Sequence, residues 1–128
     1  MDQQSAMRSP LRTVTMLLGA LFVLQGIGWL ADPARAAAGL GMPLLDGMAR
    51  STQVGDLASF FLVAGVTMLV GSRPGRAALL YVPAGLIGGA AITRTLAWAL
   101  HGAAFATLFI SIEVVIGVVL VNAAKTLD

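Results

Sequence analysis

Residues 77–100 read AALLYVPAGLIGGAAITRTLAWAL. A helix rises 1.5 Å per residue, and the roughly 30 Å hydrocarbon core of a bilayer takes about 20 apolar residues to cross. This run is long enough, and Arg94 is its one charge. Just ahead of it, GSRPGR at 71–76 combines chain breakers with two cations, which marks a loop. Working outward, 13–30, 52–70 and 103–122 have the same apolar character. Four spans, 13–30, 52–70, 77–100 and 103–122, predict an all-α integral membrane four-helix bundle, a single domain over residues 1–128. No strand-like alternation persists, so a membrane barrel is not indicated.

Composition agrees. Of 128 residues, 58% are hydrophobic and 11% charged, against about 25% charged in an ordinary globular domain; the mean hydropathy is +0.89. So few charges cannot cover a water-facing surface, which argues against a soluble enzyme and equally against disorder. Eight basic against six acidic residues is too weak a bias to suggest nucleic acid. There is no cysteine, hence no disulfide, thiolate metal site or cysteine nucleophile. His101 is the single histidine, so a His-rich zinc or haem site cannot be assembled from this chain. No Gly-x-Ser-x-Gly elbow and no phosphate loop is visible. Neither catalysis nor a cofactor nor a metal is expected.

The connector 31–51 holds Pro33, Gly39, Gly41, Pro43 and Gly47. Within it, 33–38 predict a short interfacial helix with Asp32 as N-cap and Pro33 at the first helical position. His101-Gly102 predicts a tight turn with almost no loop, and Pro83 a kink in the third span. Arg8 and Arg12, then an apolar run, then Ala36-Ala37-Ala38 imitate a secretory signal, but an apolar core of about 18 residues exceeds the usual 7–15, so the span is expected to be retained. Arg8, Arg12, Arg73, Arg76 and Lys125 flank one side of the spans, Arg35 and Arg50 the other. The cation-rich side faces inward, which puts both termini in the cytoplasm.

Helices in lipid pair through close backbone approach and interhelical hydrogen bonds. Gly85 with Gly89, Ala84 with Gly88, and Gly19, Gly26 and Gly28 are expected as packing residues. They also leave room for a lipid or other apolar ligand lined by Trp29, Phe60, Trp98, Gly85 and Gly89.

Charges inside a span cost about 2.5–3.5 kcal/mol each on insertion scales and mostly turn inward and pair. Asp56 is expected one turn inside its outer end, Arg94 roughly 10 Å below its own and Glu113 roughly 16 Å. Helical spacing puts Arg94, Trp98 and His101 on one face, and Gln53, Asp56 and Phe60 on another. Gln25 stands one turn from Trp29. The expectation is a cluster of Asp56, Arg94, Glu113, His101, Gln53 and Gln25 in which Arg94 is the hub, neutralised by both acids. Two functions compete for it. In the first, the chain is a non-catalytic accessory component, binding membrane lipid or an apolar ligand or packing on a larger complex or a second copy of itself. In the second, it is a small proton-linked transporter using Glu113.

Asp32-Pro33, Gly39-Leu40-Gly41, Asp56-Leu57 leading into Phe60-Phe61-Leu62, the run 94–102 and Ile112-Glu113-Val114 together resemble a family of small bacterial membrane proteins, the domain of unknown function 4345. The likeness covers residues 24–123. The chain departs from the family pattern at Thr93, where Gly is usual, at Val54, where Arg is frequent, and at His101, where Asp is frequent. The resemblance implies a four-helix membrane protein and carries no established activity.

Overall fold

A computed structural model describes residues 3–128. It contains five helices: α1 (Gln3–Ala31), α2 (Pro33–Gly39), α3 (Gly47–Gly71), α4 (Tyr81–His101) and α5 (Thr107–Thr126). Among the described residues there is no strand. Four segments are long and apolar enough to cross a membrane: Arg8–Ala31, Gly47–Gly71, Ala77–His101 and Thr107–Thr126. Rows of large apolar side chains point outward, Leu17, Leu21 and Leu24 on α1, Ile92, Leu96 and Leu100 on α4, and Val115 and Val118 on α5. Water does not tolerate contiguous patches of that kind, whereas acyl chains match them and helices satisfy their own backbone. The chain is a multi-pass membrane protein.

Its helices associate as two pairs, α1 on α3 and α4 on α5. The first pair is closed by backbone contact. A Cβ on Gly65 would stand 2.6 Å from the Val23 nitrogen and 2.8 Å from the Gly19 oxygen, and one on Gly26 would strike the Leu62 side chain at 2.5 Å. Only glycine permits that approach. The expected α4 glycines do not work this way: a Cβ on Gly85, Gly88 or Gly89 would meet nothing within 4 Å. Gly88 still lies beside α5, where a Cβ on Gly117 would stand 3.8 Å from the Gly88 Cα, an ordinary van der Waals contact that does not require glycine.

The two pairs meet at one end and part at the other. At the closed end Ala64, Met68, Leu80, Ile87, Leu120 and Leu127 form one core. Arg12 ties it by donating to the Ser72 carbonyl and, at 2.9 Å, to that of Leu127, beside the C-termini of α3 and α5 where a cation suits the helix dipoles. The Asp128 carboxylate accepts from the Ala77 nitrogen at 3.0 Å. At the opposite end a smaller core of Trp29, Ala37 and Ala58 joins only α1, α2 and α3. Nothing in that core comes from α4 or α5.

Local expectations are met at α2, where Asp32 accepts from the Arg35 nitrogen at 3.4 Å and Pro33 opens the helix. Two others are corrected. Pro83 does not interrupt an α-helix: a 3-10 turn (Ala77–Leu80) precedes α4 and Pro83 falls in the first turn of the helix, where a backbone N–H has no intrahelical acceptor to lose. His101-Gly102 is no tight turn. Gly102 caps α4 in the left-handed conformation at φ +66°, and 102–106 run as a loop before α5 starts at Thr107. Phe105 in that loop packs edge-on against Trp98 with ring centres 5.2 Å apart.

Candidate functional site

The longer loop decides the depth of the buried charges. Arg94 lies seven residues before the end of α4 and Glu113 six after the start of α5, so both stand roughly 10 Å from the open end. The sequence placed Glu113 about one turn deeper, since it started the helix at 103. At matched depth the two meet. Arg94 Nε lies 3.0 Å from Glu113 Oε1 and donates a 3.2 Å hydrogen bond to Oε2. Oε1 is buried and accepts no hydrogen bond, because the closer approach is not aligned with the N–H direction. The guanidinium carbon also lies 4.8 Å from the centre of the Phe109 ring, a contact worth about 0.5–2 kcal/mol as solvent is withdrawn. The Glu113 side chain is 15% exposed and that of Arg94 34%.

Both residues line a cavity of about 380 Å³ between the two helix pairs, to which every helix contributes. Leu21, Phe22 and Gln25 come from α1, Ala36, Gly39 and Leu40 from α2 and its C-terminal cap, and Leu57, Phe60 and Phe61 from α3. Ile87, Ala90 and Arg94 of α4 and Phe109, Ile112, Glu113 and Ile116 of α5 close the other side. Phe61 bridges Phe22 at 5.4 Å, with the rings tilted, and Phe60 at 5.3 Å, edge to face, which makes an aromatic wall. Arg94 and Glu113 are the only ionisable groups in the lining, and Gln25 is the one other side chain there with strong hydrogen-bonding groups. A second cavity of about 420 Å³ shares Leu21, Gln25, Ala36 and Gly39 and reaches Asp32 and Arg35. The two spaces adjoin along the α1–α2 hairpin, from charged groups at the helix ends to the buried ion pair.

The expected six-residue cluster reduces to this pair with Gln25 beside it. Asp56 is exposed and, among the described residues, makes no ion pair or hydrogen bond. Its row on α3, Thr52, Asp56, Ser59 and Val63, is exposed throughout, while Gln53, Ala64 and Met68 define the buried side. Gln53 is a loop clamp: it accepts from the Leu45 nitrogen at 2.9 Å and donates to the Pro43 carbonyl at 3.0 Å. His101 is exposed at the last turn of α4. Of the expected ligand lining, Phe60 borders the cavity. Trp29 belongs to the α1–α3 core, Trp98 packs on Phe105, and Gly85 and Gly89 lie outside the lining. Phe109 and Ala90 were not anticipated; each lies one helical turn from a charged member of the pair, which was the available signal. Ala36, Gly39 and Leu40 carried none.

The chain matches no family model, no curated protein and no solved structure. The likeness drawn from the sequence therefore rests on the residues quoted for it.

Proposed function

We propose that this protein is a non-catalytic component of a bacterial plasma membrane, with both termini in the cytoplasm, that holds a lipid-like molecule between its two helix pairs. The observation that carries this reading is the cavity itself: all five helices line it, its walls are apolar, and its few polar groups are gathered at Arg94, Glu113 and Gln25. A volume of about 380 Å³ lies within the usual range for ligand sites, roughly 300–1,000 Å³, and apolar walls with a few convergent polar groups are their usual chemistry. Arg8, Arg12, Arg73, Arg76 and Lys125 all belong to the closed end by topology, which supports placing that end in the cytoplasm. The cavity then lies in the outer half of the membrane, with α2 over it.

Extraction of the native protein in mild detergent, followed by mass spectrometry of the intact particle, tests the reading. One molecule of an amphiphile retained per chain is the expected result. A chain free of lipid in every mild detergent would contradict it.

A further inference from the structure

The ion pair that anchors the cavity is incompletely used, and what is left over specifies a ligand. Arg94 donates through Nε alone; among the described residues its Nη1 and Nη2 groups have no hydrogen-bond acceptor. Glu113 accepts one hydrogen bond, at Oε2, out of about four acceptor sites on a carboxylate. Gln25, an exposed residue on the same lining, has an amide that makes no hydrogen bond among the described residues. Donors and acceptors thus line the same, otherwise apolar space.

Charge narrows the choice. Arg94 and Glu113 cancel formally, and no other ionisable side chain lines the cavity. A carboxylate or phosphate headgroup would add an uncompensated negative charge next to Glu113, away from water, where charges are costly unless paired. A pure hydrocarbon would leave the spare N–H groups of Arg94 facing it unsatisfied, which is also unfavourable. A hydroxyl avoids both: its oxygen accepts from Arg94 Nη while its hydrogen is donated to Glu113 or the Gln25 carbonyl.

We infer that the site selects an uncharged amphiphile whose polar end is a hydroxyl group, its hydrocarbon body lying against Phe22, Phe60, Phe61 and Phe109. This inference rests on the cavity being a ligand site and adds the ligand's chemical class.

Competition among hexadecanol, palmitate and hexadecane tests it, using radiolabelled hexadecanol and the full chain in micelles at equal ligand mole fractions. Hexadecanol should outcompete both others by about tenfold, the effect of one good hydrogen bond to a charged partner. Palmitate binding as tightly or more tightly would overturn the uncharged class while leaving the ligand site standing. Equal binding of all three would overturn recognition by these polar groups. Binding of none above protein-free micelles would remove the ligand site itself. A Glu113→Gln variant that retains its melting transition leaves Arg94 uncompensated and should reverse the order in favour of palmitate; an unchanged order would count against the inference. The wild-type comparison stands without the variant if it fails to fold.

Discussion

Arg94 on α4 and Glu113 on α5 hold each other through a single nitrogen, Nε, at 3.0 Å and 3.2 Å from the two carboxylate oxygens. Nη1 and Nη2 make no hydrogen bond among the described residues, and Arg94 lines the cavity. The same contact ties one helix pair together and lines the space between the pairs, so structural and binding roles converge on it.

Removing one partner should therefore cost more than removing both. Arg94→Met or Glu113→Leu alone strands a charge in a site largely withdrawn from water and should destabilise by about 3 kcal/mol, the low end for buried pairs because Arg94 is partly exposed. The double variant should lose less than either single variant, which takes a coupling of more than about 3 kcal/mol, as the near-neutral replacement of whole buried pairs implies. Thermal unfolding of all four proteins in one detergent measures the cycle.

Glycine substitutions separate close packing from open space. Gly65→Ala drives a methyl group into the backbone of α1 and should cost about 1–3 kcal/mol. Gly85→Ala meets nothing and should raise stability by about 0.5–1 kcal/mol through the better helix former. Melting temperatures that move in opposite directions are the expected outcome.

Arg12 closes the end where the two helix pairs meet by serving two helix C-termini at once. Arg12→Ala should lower stability by about 2 kcal/mol, typical of hydrogen bonds to a charged group, and Arg12→Lys should restore less than half, since one ammonium cannot reproduce a planar fork. Denaturation followed by circular dichroism reads both.

Gln53 staples the connector. Gln53→Leu leaves the Leu45 nitrogen and the Pro43 carbonyl without their partner, at about 0.5–1.5 kcal/mol for each hydrogen bond lost, since both residues are exposed. Limited proteolysis should then cut within 40–46 several times faster, with the spans still protected.

The spans were legible because a bilayer imposes length and hydropathy on each helix independently, and Asp32-Pro33 announced α2 through cap chemistry. What could not be read was decided between helices. Whether Pro83 bends a helix or begins one depends on where the helix starts, and the loop at 102–106 moved Glu113 up to the level of Arg94. Asp56 shows the same limit. Its spacing from Gln53 and Phe60 sets an approximate face, but the rotation of α3 follows from the Gly19–Gly65 contact, and that rotation leaves Asp56 outside. The pairing of Arg94 with Glu113 was foreseeable from charge; the cavity was not, since it arises from the divergence of two helix pairs and a wall from α2.

Filling that cavity tests its occupancy most directly. Ala90→Trp places an indole between the helix pairs, whereas Val63→Trp adds the same bulk to the exposed row of α3. Intact-particle mass spectrometry should find one bound amphiphile on the wild type and on Val63→Trp and none on Ala90→Trp, with all three melting cooperatively. An adduct of unchanged mass and occupancy on a folded Ala90→Trp protein would place the ligand elsewhere and contradict a binding site at Arg94 and Glu113.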